Sequence, residues 1–180
     1  MSAILVLRRV RPGMIAIATL LAGCGGSGGA GSDPSAVAVA GSWDARDACA
    51  SLGREKASAL GGAPVSDTKL EVMSAGGNGL AAASMCTFTY ANGATLMLVA
   101  REAPDGDATP AAIENARTGG GLAPPADPVP GLGKAAFWST SARQAQLFID
   151  DRRYVVINFF KLPAGDDAKA RSLAVAKAFL

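Results

Sequence analysis

The chain contains no histidine among its 180 residues. This absence excludes serine–histidine–aspartate and cysteine–histidine mechanisms, and it excludes zinc sites that are built on imidazole. It also removes the side chain that most often transfers protons near neutral pH. A catalytic hypothesis for this chain therefore rests on carboxylates or on a serine–lysine pair, and we expect neither a metal nor a cofactor.

A large excess of charge of either sign is also lacking. The chain has 17 lysines and arginines and 15 acidic residues, and three of the arginines lie near its beginning, at positions 8, 9 and 11. Residues 24–180 therefore carry 14 basic and 15 acidic side chains, a net charge of −1. Nucleic-acid binding requires a clustered basic surface and electrostatic membrane binding a polybasic patch, so the composition predicts neither.

Cysteine is scarce, and the first of the three cysteines stands in an informative position. Cys24 follows a basic stretch, an apolar run from Met14 to Ala22 and the small residue Gly23. This order of charge, apolar run and small residues is typical of a secretory signal. The sequence Leu-Ala-Gly-Cys at positions 21–24 resembles the lipobox of bacterial lipoproteins. The resemblance implies that residues 1–23 are a signal peptide, that lipid is attached to Cys24, and that the mature chain is anchored to a membrane.

Two alternatives remain for this leader. A membrane-spanning helix needs about 20 apolar residues, roughly twice the length of this run. An ordinary signal peptide with an incidental cysteine would be cleaved without lipid attachment. The position of Cys24 directly after the small residues favours the lipoprotein interpretation.

The residues after Cys24 predict a tether and then a folded domain. Gly25 to Ser35 is nearly all glycine, serine, alanine, aspartate and proline, a composition that cannot bury apolar surface and is typical of a flexible linker. All ten aromatic residues lie between Trp43 and Leu180. We therefore expect a tether over residues 24–42 and a single domain over residues 43–180. The lipid would hold this domain at the cell membrane or the outer membrane, in an oxidising compartment outside the cytoplasm.

The two remaining cysteines, Cys49 and Cys86, are predicted to form a disulfide. Exported domains fold where disulfides persist, and two thiols allow a single intrachain pairing. The alternative is two separate buried thiols. Because the two positions are 37 apart, the chain has no CxxC redox motif, and we interpret the pair as structural.

The order of predicted elements indicates an α+β domain whose antiparallel sheet has five to six strands, with helices packed on one face. Helices are expected over residues 44–52, 54–60 and 109–118, and from Asp166 or Asp167 to the C-terminus. Strands are expected over residues 64–72, 84–90, 95–101, 135–140, 144–150 and 154–160, with loops over 74–79 and 119–133. Asn92-Gly93 predicts a hairpin with a two-residue turn, which places Phe88 opposite Met97 and Cys86 opposite Val99.

Several short motifs are similar to those of small actinobacterial lipoproteins of unassigned function. The first is Asp47-Ala48-Cys49, followed by a short helix that ends at Leu60-Gly61, with Cys86 on a later strand. The second is Pro130-Gly131-Leu132-Gly133, followed by Ala135-Ala136-Phe137-Trp138, which resembles a segment of those proteins. The resemblance implies an α+β domain stapled by a disulfide, and it implies no catalytic residues.

Two aromatic pairs are candidates for a contact surface. Phe137-Trp138 and Phe159-Phe160 fall in predicted strands, where adjacent side chains point to opposite faces. One ring of each pair is expected in the core, and the other either packs under helices or forms an exposed patch that binds a partner. Burial of both faces is the alternative.

The remaining candidate catalytic and metal-binding residues include two groups that also have a simpler structural explanation. Asp150 and Asp151 precede two arginines and could act as paired carboxylates, but a polar hairpin turn explains them as well. Asp105-Gly106-Asp107 resembles part of a calcium loop yet lacks the further ligands, so a turn is expected. Ser139 or Ser141 with Lys134 is the best serine–lysine candidate for a hydrolase.

Three functions remain open at this point. The first is a non-catalytic envelope lipoprotein that binds a partner protein or a small apolar ligand. The second is a periplasmic inhibitor or assembly factor that acts by protein contact alone. The third is a hydrolase that uses carboxylates or a serine–lysine pair. An apolar cavity would favour a small ligand, and a flat aromatic patch would favour protein contact.

Overall fold

The structure is a computed structural model that describes residues 42–180. The predicted signal peptide, the predicted lipidation site Cys24 and the predicted tether up to residue 41 lie outside the described residues. The predictions for these segments therefore stay predictions.

Seven strands form one sheet in which all neighbours are antiparallel, in the order β1-β2-β3-β7-β6-β5-β4. The strands are β1 Val65–Gly77, β2 Leu80–Tyr90, β3 Thr95–Glu102, β4 Asp127–Pro128, β5 Ala135–Ser139, β6 Gln144–Phe148 and β7 Arg153–Phe160. The α-helices are α1 Ala48–Leu52, α2 Arg54–Gly61, α3 Pro110–Thr118 and α4 Ala168–Lys177, and a 3-10 turn spans Gly119–Gly121. The prediction of an α+β fold with an antiparallel sheet is confirmed. The sheet has more strands than expected, because the two-residue β4 pairs with β5 inside a segment that was expected to be a loop.

Helix boundaries follow from side chains that satisfy the first free amide groups. Asp47 caps α1 by accepting a hydrogen bond from the Ala50 N–H, and Thr109 caps α3 by accepting one from Ala112, with proline at the first helical position. Asp167 caps α4 by accepting from two amide groups of its first turn. The starts of α3 and α4 lie close to the predicted ones, whereas α1 begins at Ala48, after its cap Asp47, and not at the predicted residue 44.

The main core lies between one face of the sheet and three helices. Alternate residues of β2 and β3 are buried on this face, and they pack with residues of α1, α2 and α4 such as Leu52, Ala57 and Val175. A second, smaller cluster lies on the opposite face, where Ile113 and Ala116 of α3 pack with Phe137 of β5 and Phe148 of β6. The expectation that the helices share one face is therefore corrected, because α3 covers part of the second face.

The predicted register of the central hairpin was wrong by one residue. Cys86 pairs with Leu98 and Phe88 with Leu96, because the turn has three residues instead of two. The Gly93 N–H donates to the Tyr90 carbonyl and the Tyr90 N–H to the Ala94 carbonyl, which is the three-residue hairpin that ends in a left-handed glycine. A shift of one residue exchanges the two faces, so Leu96 and Leu98 are in the core and Met97 and Val99 are not.

A two-residue turn occurs at Asn78-Gly79, where these two residues predicted a turn at the end of the expected loop over residues 74–79. Both residues have positive φ, and Gly77 pairs with Leu80 across the turn. This is the arrangement that favours asparagine followed by glycine. The first two strands therefore form one long hairpin, and the segment over residues 74–77 belongs to β1.

The glycines of Pro130-Gly131-Leu132-Gly133 have unequal surroundings. Both have positive φ, but a Cβ atom at Gly133 would lie 2.4 Å from the backbone oxygen of Phe148, whereas nothing lies within 4 Å of one at Gly131. Leu132 between them is buried in the main core. Gly133 thus allows the close backbone approach that seats this turn on β6.

The first prediction compares Gly133→Ala with Gly131→Ala. Each substitution places a side chain at positive φ, which costs roughly 1–2 kcal/mol. Gly133→Ala also creates a contact with backbone that cannot move freely, so its free energy of unfolding should fall by roughly a further 1–3 kcal/mol. Urea unfolding followed by tryptophan fluorescence measures both variants. Equal losses would contradict the close approach at Gly133.

Candidate functional site

The four aromatic residues of the predicted contact patch do not lie on a common exposed surface. Trp138 and Phe159 are buried in the main core, and Phe137 is buried in the second cluster under α3. Phe160, at the end of β7, is 46% exposed. The patch is therefore reduced to a single ring, because helices cover both sides of the sheet where the other three lie.

The serine–lysine pair is not brought together. Ser139 and Lys134 lie at opposite ends of β5, five residues apart, a separation of about 16 Å along a strand. The Ser139 hydroxyl is 3.2 Å from that of Ser141, and the Lys134 amine donates to the Ala108 carbonyl at 2.7 Å and pairs with Asp151. Each group thus serves a local turn or loop.

The carboxylates of Asp150 and Asp151 face different partners. Asp150 accepts hydrogen bonds from the Arg152 and Arg153 amides and from the Arg153 guanidinium. Partial burial of Asp150 raises its pKa, but these hydrogen bonds together outweigh burial and lower the pKa below the usual value. Asp151 pairs with Lys134 instead. Asp150 and Asp151 therefore belong to a polar hairpin turn and do not form a pair of carboxylates.

The Asp105-Gly106-Asp107 segment is also a turn. Asp107 forms an ion pair with Arg101 of β3, and the backbone carbonyl of Asp151 accepts its N–H at 2.9 Å. No group of three or more potential metal ligands occurs within residues 42–180.

A polar cleft of about 450 Å³ lies between the start of the domain and the β1–β2 hairpin. The Trp43 indole N–H donates to the Glu102 carboxylate at 2.7 Å, and Arg152 pairs with the same carboxylate at 3.3 Å. Arg46 donates to the Ala75 carbonyl at 2.7 Å and so connects the first residues of the domain to β1. The sequence did not predict this cleft, because Trp43 indicated only where the folded domain begins.

The outermost strand of the sheet exposes a group of apolar side chains. Leu70, Val72 and Met73 of β1 are 40%, 54% and 60% exposed, and Leu80 at the tip of the hairpin is 67% exposed. Between them β1 also carries exposed charged residues. We call residues 67–73 of this strand the β1 edge. It was missed because the alternating pattern of this strand predicts one buried face, whereas Leu70 and Val72 on that face remain exposed.

Two irregularities limit the β1 edge. The register of β1 against β2 shifts between Val65 and Asp67 and again between Val72 and Ser74. Such bulges interrupt a ladder and are common at sheet edges. The regular part of β1 therefore runs from Asp67 to Val72.

Comparison with models of protein families, with curated proteins and with solved structures gave no match. Among the helices of residues 42–180, none is long and apolar enough to cross a membrane. The disulfide predicted between Cys49 and Cys86 is present, with Cα atoms 5.1 Å apart. This bond is compatible with an oxidising location outside the cytoplasm.

Both tyrosines of the chain are held in their neutral form. Burial raises the pKa of Tyr90 to about 12 against the opposing charge of Arg171, and its hydroxyl donates to the Ala57 carbonyl at 3.1 Å. Burial likewise raises the pKa of Tyr154 to about 12 against the charge of Arg101. The two rings lie on opposite faces of the sheet, so together they report on both cores.

The second prediction concerns alkaline pH. In the folded chain the pKa values of Tyr90 and Tyr154 exceed the unfolded value of about 10. The contribution of these two buried, neutral hydroxyls to the free energy of unfolding is therefore fully present below pH 10 and is lost as the pH rises through about 12. Phenolate absorbance should show about a tenth of the tyrosine ionised at pH 11 in the folded chain and about nine tenths in urea. Tyr90→Phe should halve the signal and keep its midpoint. A folded-state midpoint near 10 would contradict burial of both rings.

Proposed function

We propose that the chain is an exported lipoprotein, anchored through Cys24, whose non-catalytic domain acts by contact with a partner protein. The leader pattern and the small residues before Cys24 support export and lipid attachment. The disulfide between Cys49 and Cys86 supports a compartment in which thiols oxidise.

The observation that best supports contact with a partner protein is the exposed apolar surface of the β1–β2 hairpin. Seven large apolar side chains are exposed within residues 42–180, and four of them belong to this hairpin: Leu70, Val72, Met73 and Leu80. Contiguous exposed apolar residues often mark interaction sites, and an open strand edge adds unpaired backbone groups to them. The β1 edge is therefore the surface we assign to the partner.

The polar cleft at the start of the domain is unsuited to a small apolar ligand. A pocket for such a ligand is lined mainly by apolar and aromatic side chains. The cleft of about 450 Å³ is lined instead by charged residues that include Arg46, Glu102 and Arg152, each of which has a hydrogen-bond or ion-pair partner within the domain. For the same reason we place no reaction there.

The third prediction tests the anchor. The unaltered chain should fractionate with membranes and incorporate labelled palmitate, and Cys24→Ala should lose both properties. Cys49→Ala, which removes a cysteine of the disulfide, should keep the label and serves as the matched control. Unchanged labelling of Cys24→Ala would contradict the proposed attachment of lipid to Cys24.

The fourth prediction tests the contact surface. A photo-crosslinking amino acid at Val72, on the β1 edge, should capture a protein in intact envelopes. The same amino acid at Lys177, which is exposed at the end of α4, provides the control and should capture little. Equal capture at the two positions, or capture at neither, would contradict the assignment of the β1 edge as the partner surface.

A further inference from the structure

We propose that the partner at the β1 edge is a second copy of this chain, which adds its own β1 strand antiparallel across a two-fold axis at Leu70. This inference rests on the proposed function, because it names the partner of the surface assigned above. Strand addition of this kind joins two sheets through main-chain hydrogen bonds, while side chains set the register.

The backbone of the β1 edge is free to accept a strand. The Tyr90 N–H donates to the Ala94 carbonyl of the adjoining turn, so even-numbered residues of β2 face β3 and odd-numbered residues face β1. The Thr89 carbonyl accepts from the Ser66 hydroxyl, which agrees with this alternation. Since Lys69 pairs with Thr87 and Glu71 with Met85, the amide and carbonyl groups of Thr68, Leu70 and Val72 point away from the sheet.

The side chains of the β1 edge are complementary to themselves in one register. With Leu70 opposite Leu70 of the second copy, Lys69 lies opposite Glu71 and Glu71 opposite Lys69. Thr68 and Val72 also lie opposite each other twice. Each dimer therefore contains two cross-strand ion pairs on one face and an apolar row on the other, and both kinds of pair stabilise a sheet.

Other registers lose this complementarity. An axis at Lys69 places lysine opposite lysine and Asp67 opposite Glu71, and an axis at Glu71 places glutamate opposite glutamate. An axis at Thr68 places Leu70 opposite Ser66, which lies at the bulge. Axes between residues place Leu70 opposite Lys69 or Glu71. Like charges directly opposite one another destabilise a sheet, so the axis at Leu70 is the favoured one.

The geometry closes the assembly at two copies. The ladder can extend only over residues 68–72 of each chain, because bulges bound the regular part of β1. The opposite end of the sheet is β4, a strand of two residues that includes Pro128. A short edge with proline resists strand addition. The dimer is thus an isologous pair and does not continue into a fibre.

Anchoring to a membrane compensates for the small size of this interface. Five residues from each chain bury little surface, which is typical of weak association. Two chains tethered to the same bilayer meet at a high effective concentration. The dimer therefore belongs to the membrane-bound protein, and the experiment uses the full chain in its membrane.

The fifth prediction tests the register by crosslinking. Leu70→Cys places two thiols at the axis, where the Cα atoms of a hydrogen-bonded pair are about 5.5 Å apart and a disulfide can form. Because Cys86 lies opposite residue 70 on β2, peptide mapping first verifies that the Cys49–Cys86 bond is intact in each variant. Thr68→Cys, the matched control, places them about 13 Å apart along the strands, which is too far. After mild oxidation, non-reducing electrophoresis should show at least about tenfold more linked dimer for Leu70→Cys. Equal yields for the two variants, or no dimer, overturn the inference.

Charge reversal separates the interface from the fold. In the Leu70→Cys chain, Lys69→Glu places four carboxylates at the axis and should reduce the dimer about tenfold, and Glu71→Lys should do the same with four amines. The double variant Lys69→Glu/Glu71→Lys restores opposite charges and should restore the dimer. Because this chain carries both changes, its recovery excludes misfolding as the cause of the loss. Failure of the double variant to recover contradicts the register.

The outcomes at Val72 and Leu70 distinguish the two proposals. Capture at Val72 of a second copy of the chain supports both. Capture of a different protein, with no dimer from Leu70→Cys, leaves the contact surface in place and overturns the second copy as its partner. No capture at Val72 and no dimer overturn both.

Discussion

The bond between Cys49 and Cys86 is the constraint on which the arrangement of the domain depends. It joins α1, a helix of five residues, to the middle of β2. A helix of this length is not stable alone. Besides the disulfide, the Ala48 N–H donates to the buried Ser84 hydroxyl at 2.9 Å, which fixes the same helix one residue away. The bond therefore places α1 over the sheet, and it sets the path of the segment that carries Trp43.

The surfaces of the domain follow from where helices stop covering the sheet. The helices α1, α2 and α4 protect the main core, and α3 protects part of the opposite face. The cover over β1 is incomplete within residues 42–180, since Leu70 and Val72 remain exposed although their neighbours on β2 are buried. The same incomplete cover leaves the polar cleft between the hairpin and Trp43. A domain that has a rigid stapled core and one open edge is suited to strand addition.

Local chemistry predicted much of this fold, and tertiary packing decided the rest. Thr109-Pro110 and Asp167 act within a few residues, so the starts of α3 and α4 could be predicted, whereas the cap of α1, Asp47, was missed. The register after Asn92-Gly93 could not, because the same dipeptide fits a two-residue turn and a three-residue turn, and the burial of the flanking strands decides between them. The disulfide pairing could be predicted because assigning Cys24 to lipid attachment leaves two of the three cysteines. Exposure of the β1 edge depends on distant helices, which no local pattern in residues 67–73 indicates.

Peptide mapping without reduction, combined with urea unfolding, tests most directly whether this disulfide holds the domain together. Chain isolated from the envelope should yield one linked peptide pair that contains Cys49 and Cys86. Replacing both cysteines by alanine should lower the free energy of unfolding by about 4 kcal/mol, the value expected for closing a loop of this length. Two alkylated free thiols in the isolated chain, with an unchanged unfolding midpoint in the double variant, would contradict the account.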